Sequence, residues 1–175
     1  PDIKDMFTIC IYGFPNVGKT TFLNKLTGTK GKVAAYAFTT KTINAGYFTF
    51  KTNKVQVLDV PGTLSRTDKM NIIEAQADLV VTELANVIIY VFDISGYSGF
   101  SEKQQEQLFT KIKKEKNVIV HLSKQDLLDK ETIAEFKHKH LSEEQIKEKI
   151  EKLAQKYEDV KREKEETEKE EIIEK

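Results

Sequence analysis

The stretch GFPNVGKT, residues 13–20, places two glycines, a lysine and a hydroxyl group at the spacing G-x-x-x-x-G-K-[ST]. The stretch lies between an apolar strand and a helix, which is the context that this phosphate-binding pattern requires; an ordinary glycine-rich turn with an exposed lysine is the alternative. The glycines allow backbone N–H groups to turn inward around a diphosphate, helped by the positive end of the helix dipole. We expect Lys19 to reach the β- and γ-phosphates of a nucleotide and the Thr20 hydroxyl to ligate Mg²⁺. The nucleotide-binding residues predicted here are Gly13, Asn16, Val17, Gly18, Lys19, Thr20 and Thr21.

Two further stretches carry groups that could complete a magnesium and phosphate site. In LDVPG, residues 58–62, Asp59 ends an alternating strand, where its carboxylate could hold Mg²⁺ through water, and the Gly62 N–H could approach the γ-phosphate. In AAYAFTTKT, residues 34–42, we expect a long polar connection in which Thr40 closes over the metal; plain strand-forming residues are the alternative. The predicted metal ligands are Thr20, Thr40 and Asp59, and the predicted catalytic residues are Lys19, Thr40 and Gly62.

The tetrapeptide SKQD, residues 123–126, follows the last strong apolar run and carries groups that could select a base. The Asp126 carboxylate could accept both N–H donors of a guanine edge, an arrangement that adenine does not offer. The stem of Lys124 could cover the plane of the base, with Ser123 before it at the strand end. The alternatives are a solvated charged turn and an ATP site.

An alternation of strand and helix patterns would position these groups. Apolar runs predict strands at 6–13, 87–93 and 117–123, and two alternating runs within 45–60 predict a hairpin with a turn at Thr52 and Asn53. Helical spacing covers 20–26 and 73–84, and a capping box of Ser101 and Gln104 begins another helix. These units predict an α/β fold: a three-layer, mostly parallel, doubly wound sheet with one antiparallel strand and a C-terminal helical extension. Its ligand site should lie at the carboxyl ends of the strands.

Composition limits the classes of partner. The 28 Lys and Arg residues balance 28 Asp and Glu residues, so the chain lacks the excess of basic residues typical of a dedicated nucleic-acid binder. The single cysteine, Cys10, has no partner for a disulfide, and no apolar run approaches the roughly 20 residues of a membrane span. We expect a monomeric, cytoplasmic protein with no membrane partner. The start at Pro1 indicates a piece of a longer chain.

GFPNVGKT, the Thr39–Thr40 pair, DVPG and SKQD together resemble the G1 to G4 motifs of translation-factor-class GTPases. Residues 26–48 are similar to Obg and developmentally regulated GTP-binding proteins, and residues 72–109 to the nucleolar GTP-binding protein 1 branch and its archaeal relatives. The resemblance covers about residues 6–126. It implies a P-loop GTPase switch that binds GTP and GDP and acts on pre-ribosomal particles, usually the large subunit with its rRNA and proteins. In a eukaryote it implies a nucleolar location.

The sequence departs from that family at its base-binding motifs. Ser123 occupies the first position of N-K-x-D, and the G5 motif, a strand followed by Ser-Ala, is not recognisable after Asp126. Instead, Ser142 and Gln145 form a capping box that predicts a long charged helix, whose end is either a solvated tail or a docking helix. Its apolar residues have the 4-3 spacing of a coiled-coil seam: Ile146, Ile150, Leu153, Tyr157 and Val160. We divide the chain into a GTPase domain, residues 1–140, and a C-terminal helix or tail, residues 141–175.

The switch region predicts slow hydrolysis. Some GTPases place a glutamine directly after the D-x-x-G glycine to orient the attacking water, but this chain has Thr63 there. Asn16 resembles the phosphate-loop asparagine of GTPases activated by potassium, so it could hold K⁺ between the phosphates or simply form a hydrogen bond within the loop. The rival function is an interaction module that binds a nucleotide with little or no hydrolysis.

Overall fold

Apolar runs form the centre of a mixed β-sheet. This computed structural model describes residues 5–28, 32–38, 41–50, 52–59, 84–114 and 117–175. Within those ranges the strands are β1 (Thr8–Tyr12), β2 (Lys32–Phe38), β3 (Lys41–Phe50), β4 (Asn53–Asp59), β5 (Val87–Phe92) and β6 (Val118–Leu122). Their order in the sheet is β2-β3-β4-β1-β5-β6. β1 and β5 are buried along their whole length, as expected for parallel strands covered on both faces.

One strand runs against the others. β4, β1, β5 and β6 are mutually parallel, whereas β3 is antiparallel to its neighbours β2 and β4. The predicted sheet and the hairpin turn at Thr52 are therefore confirmed. The prediction of a polar connection over residues 34–42 is wrong wherever these residues are described, because residues 34–38 belong to β2 and residues 41–42 to β3. All 7 residues of β2 pair with β3. Three alanines in this run have weak strand propensity, so its pairing depends on the neighbouring backbone and could not be seen locally.

Helices cover both faces of the sheet. Those in the described ranges are α1 (Lys19–Thr27), α2 (Glu102–Lys113), α3 (Lys130–Glu135) and α4 (Glu143–Glu174). α2 lies on the face that carries Tyr90, whose hydroxyl donates to the carbonyl oxygen of Gln105 at 2.8 Å. α1 lies on the opposite face, where the ring of Phe22 is 4.7 Å from that of His121. The three predicted layers follow from this placement.

The long helix α4 packs on its own domain with its first half. Both predicted capping boxes are formed, Ser101 with Gln104 at α2 and Ser142 with Gln145 at α4. The apolar residues of the predicted seam become more exposed along the helix: Ile146 and Ile150 are buried, Leu153 and Tyr157 are partly buried, and Val160 is exposed. The seam therefore covers the sheet. Among the described residues, no helix combines the length and the apolar character needed to cross a bilayer.

Candidate nucleotide-binding site

Four parallel strands, β4, β1, β5 and β6, end at one edge of the sheet, and most of the predicted site residues lie there. Gly13 follows β1, Asp59 ends β4 and Ser123 follows β6. Asp93, which the sequence analysis did not single out, follows β5. The register places Asp59 beside Ile11, so the backbone of β4 ends next to the start of the phosphate loop. Ligands bind at this edge in open parallel sheets.

The phosphate loop, residues 13–18, turns tightly between β1 and α1. Gly13 has a φ of 154°, and a Cβ there would lie 2.8 Å from the carbonyl oxygen of Val91. Gly18 has a φ of 104° and is the N-cap residue of α1, where no side chain caps the helix. Asn16 is also left-handed, with a φ of 64°, a conformation that asparagine tolerates better than most residues. The positive end of the α1 dipole thus meets a tightly turned backbone, an arrangement suited to an anion.

Lys19, the first residue of α1, folds its side chain back over the loop. Its Nζ donates to the carbonyl oxygen of Gly13 at 2.7 Å and to that of Phe14 at 3.3 Å, and the residue is 8% exposed. These bonds hold the ammonium group where it could exchange a carbonyl partner for a phosphate oxygen. Thr20 and Thr21 are exposed on the first turn of α1, so their hydroxyls are accessible to a ligand.

Ser123 connects β6 to the phosphate loop. Its hydroxyl oxygen lies 2.5 Å from the carbonyl oxygen of Val17 and 3.0 Å from that of Phe92. A hydroxyl carries one hydrogen, so it can donate fully to only one of these carbonyls at a time. The side chain of Val17 is buried, which leaves its backbone as the part that could meet a nucleotide. Ser123 therefore forms only part of the hydrogen-bonded link between the end of β6 and the phosphate loop, which we call the brace.

Lys124 joins three segments of the site. Its Nζ donates to the carbonyl oxygen of Asn16 at 2.8 Å and pairs with Oδ2 of Asp93 at 2.8 Å. Asp93 is buried, and its Oδ1 accepts from both the N–H and the hydroxyl of Ser95. Burial alone would raise the pKa of Asp93, but the hydrogen bonds from Lys124 and Ser95 outweigh it and hold the pKa below its ordinary value. The carboxylate is therefore ionised at neutral pH and fixes the lysine.

A cavity of about 430 Å³ opens beside Lys124 and Asp126. Asp126 lies in a short 3₁₀ turn, Gln125–Leu127, and is exposed. The start of α4 supplies another part of the wall through Ser142, Glu143 and Glu144. The cavity has the size of a small-molecule site. Sequence reasoning missed these three residues because they lack the Ser-Ala pattern, although the capping box marked the start of their helix.

The start of α4 is fastened to β6. The N–H of Leu141 donates to the carbonyl oxygen of Val120 at 2.9 Å, and Nδ1 of His121 lies 2.9 Å from the carbonyl oxygen of Leu141. Because a carbonyl oxygen only accepts, Nδ1 must carry the proton. Burial lowers the pKa of His121, so the ring is neutral at pH 7. Residues 123–142, all of them described, contain no strand. The start of α4 is therefore held to β6 by these two hydrogen bonds and not by pairing with a further strand.

Several residues predicted to bind the metal or the phosphates lie outside the part of the chain that the structure describes. Thr40, Gly62 and residues 73–83 of the predicted helix fall outside the described residues. Asp59 is described by its backbone alone. The roles assigned to these residues in metal binding and catalysis stay predictions.

Comparison of the sequence with known families matches residues 8–172 to the family described as the 50S ribosome-binding GTPase. The chain belongs to this family. The matched range contains residues 13–20, the end of β4 and the tetrapeptide SKQD. The GTPase class predicted from the sequence is therefore confirmed.

Curated relatives support the branch of the family that the sequence indicated. An uncharacterized protein of Methanocaldococcus jannaschii is 40% identical over 136 residues, which is 76% of this chain and 38% of that protein. Nucleolar GTP-binding protein 1 of Saccharomyces cerevisiae is 39% identical over 132 residues, 73% of this chain and 20% of that protein. The chain spans well under half the length of these relatives. Its resemblance to the nucleolar GTP-binding protein 1 branch is confirmed.

Solved structures extend the match to the whole fold. A structure from Plasmodium falciparum assigned as nucleolar GTP-binding protein 1 has a TM-score of 0.65 at 25% identity and covers 99% of this chain and 97% of its own. The cytosolic domain of the Thermotoga maritima FeoB iron transporter in a GDP form has a TM-score of 0.62 at 30% identity, covering 86% of this chain and 64% of its own. The P-loop GTPase fold with a C-terminal helix is therefore confirmed.

Proposed function

We propose that this domain binds GTP and GDP with Mg²⁺ and hydrolyses GTP as a molecular switch in assembly of the large ribosomal subunit. The observation that carries the nucleotide assignment is the position of Lys124, whose ammonium group lies 2.8 Å from both the carbonyl oxygen of Asn16 and the carboxylate of Asp93. One residue thereby ties the base site to the phosphate loop. If the base of a guanine nucleotide packs against the stem of Lys124, the N–H donors of the base would point to Asp126. The phosphates of the same nucleotide would then lie near Lys19.

The available oxygen donors fit Mg²⁺. The Thr20 hydroxyl is exposed on the first turn of α1, and the end of β4 brings Asp59 beside the loop. Hydroxyl and carboxylate oxygens are the ligands that this hard cation prefers, usually together with water and phosphate oxygens. Thr40 would complete the set. Mg²⁺ held there would neutralise charge on the phosphates, and Lys19 would add to that effect.

Intrinsic hydrolysis should be slow because Thr63, rather than a glutamine, follows Gly62. The attacking water would then be oriented by a partner, by a monovalent cation or by a rearrangement of the switch. Asn16 is exposed within the phosphate loop, where its side-chain oxygen could hold K⁺ and supply positive charge in the transition state. Binding of the γ-phosphate by Thr40 and Gly62 in the GTP state alone would be the signal that a partner reads.

The ribosomal role rests on the family and on named relatives. The family is described as ribosome-binding, and curated relatives carry the name nucleolar GTP-binding protein 1. We therefore take a precursor of the large subunit, with its rRNA and proteins, as the partner of a monomeric domain. Its location would be cytoplasmic, or nucleolar in a eukaryote. The alternative is an interaction module that holds GTP or GDP without hydrolysing it.

A single-turnover GTPase assay tests the proposal. Phosphate release is followed in KCl and in NaCl, each with and without purified large ribosomal subunits, for the wild type and for Asn16→Ala. We expect slow hydrolysis by the domain alone and faster hydrolysis with subunits. We also expect an advantage of KCl over NaCl that Asn16→Ala removes. Bound GTP that stays intact in all four conditions would favour the interaction module, and equal rates in the two salts would reject the K⁺ role alone.

Ser123→Asn should slow the release of GDP. With its partial brace, the wild type should bind guanine nucleotides weakly and release GDP quickly without an exchange factor. An asparagine amide has two N–H donors and could bond the carbonyl oxygens of both Val17 and Phe92. One added hydrogen bond contributes about 0.5–1.5 kcal/mol, equivalent to roughly twofold to tenfold slower dissociation.

Stopped-flow release of a fluorescent GDP measures this effect. The matched variant Ser123→Ala removes the hydroxyl and should speed release. If neither variant changes the dissociation rate, the brace does not control nucleotide release.

A further inference from the structure

Gln105 on α2 is a fully buried polar residue that the proposed function does not use. Its Oε1 accepts from the N–H of Asp93 at 2.8 Å. Its Nε2 donates to the carbonyl oxygen of Asp93 at 2.7 Å and to that of Phe100 at 3.2 Å. A single amide therefore holds both ends of the loop from residue 93 to residue 100.

A buried amide stabilises a fold only when its hydrogen bonds are satisfied, and an apolar side chain would fill the same space without that requirement. The amide of Gln105 fits this loop in detail, because it accepts where the backbone donates and donates where the backbone presents carbonyls. The arrangement fixes the backbone of Asp93 on both sides of its side chain.

Two contacts carry the position of this loop into the nucleotide site. The carboxylate of Asp93 pairs with Lys124, which in turn donates to the phosphate-loop carbonyl of Asn16. At the other end of the loop, the ring of Phe100 stacks on that of Phe14 with centroids 4.6 Å apart. Phe14 belongs to the phosphate loop, so the loop fixed by α2 touches both the base site and the phosphate site.

We propose that Gln105 is a positioning residue for the guanine-nucleotide site. It acts through Asp93 on Lys124 and through Phe100 on the phosphate loop. The inference rests on the proposed nucleotide site. Removing the amide would leave every group that contacts the nucleotide in the chain, but it would loosen the support of Lys124 and speed nucleotide release.

Gln105→Met, which keeps the length of the side chain and removes the amide, should speed GDP dissociation about threefold to tenfold, in line with the loss of supporting hydrogen bonds. Tyr90→Phe is the matched control, because the Tyr90 hydroxyl donates to the backbone carbonyl of Gln105 at 2.8 Å. That variant also loses a buried hydrogen bond to the same residue, yet it leaves the contacts with Asp93 and Phe100 in place. Thermal denaturation of both variants shows how far each is destabilised.

Gln105→Glu provides a second variant should Gln105→Met not fold, since it keeps an acceptor for the N–H of Asp93 and loses the donor. Asp93→Asn completes a double-mutant cycle: if Gln105 acts through Asp93, its substitution should speed release less in the Asp93→Asn background. Faster release in a Gln105 variant, with wild-type release in Tyr90→Phe, supports the proposal. Wild-type release in the Gln105 variants, or the same acceleration in Tyr90→Phe, overturns it. A wild-type domain that binds no GDP overturns the proposed function and this inference with it.

Discussion

Lys19→Ala should weaken the binding of GTP by about 10²- to 10⁴-fold. The ammonium group lies 2.7 Å from the carbonyl oxygen of Gly13, inside the loop that would surround the phosphates. Hydrogen bonds to charged groups contribute about 1.5–3 kcal/mol each. Losing two of them, one to each of the β- and γ-phosphates, corresponds to this range of affinity. Equilibrium titration with a fluorescent, non-hydrolysable GTP analogue in the presence of Mg²⁺ measures the loss.

Two comparisons isolate the effect of the lysine. Lys111→Ala removes an exposed lysine in the last turn of α2 and should leave the affinity unchanged. Thr20→Ala should lower the affinity when Mg²⁺ is present but not in EDTA, because its hydroxyl acts through the metal. Since Lys19 is 8% exposed and bonds the loop backbone, the melting temperature of its variant must be measured as well. An unchanged affinity in a folded Lys19→Ala protein would show that this loop does not bind the phosphates.

Local patterns predicted the turn between β1 and α1 because its sequence signals are local. The glycines, Lys19 and Thr20 lie within eight consecutive positions, and the flanking strand and helix have clear periodicity. The same holds for the capping boxes at Ser101 and Ser142, each of which involves residues three positions apart. The continuous apolar runs predicted β1, β5 and β6, since strands buried on both faces need no alternation.

Contacts between distant segments could not be read in the same way. Asp93 was visible as a carboxylate at a strand end, but its partner Lys124 is 31 positions away and its support, Gln105, lies 12 positions away on α2. The wall of the cavity at Ser142 comes from a segment that bonds to β6 through Leu141 and carries a capping box but no recognisable base-binding motif. The seam of α4 has the spacing of a coiled coil, and only tertiary packing shows that it covers the sheet of its own domain.

Asp126→Asn should change which base the domain prefers. The carboxylate borders the cavity beside Lys124, where it could accept from both N–H donors of guanine. An amide offers one acceptor and a donor, which suits xanthine, because xanthine carries a carbonyl where guanine carries an amino group. Losing two charge-assisted hydrogen bonds should weaken GDP binding by about 10²- to 10⁴-fold, while the affinity for XDP rises. Competition titrations with GDP, XDP and ADP measure the change.

Asp129→Asn is the matched control for this substitution, because it makes the same chemical change three residues further along the chain. Asp129 is the N-cap of α3, where its carboxylate accepts from the N–H of Thr132 at 2.7 Å. Asparagine is also a good N-cap, so this variant should keep both the fold and the preference for GDP. If the wild-type domain binds ADP as well as GDP, that result favours the alternative hypothesis of an ATP site, which rests on the serine in SKQD. If Asp126→Asn leaves the GDP affinity as it was, Asp126 does not contact the base, and other residues that line the cavity must discriminate guanine.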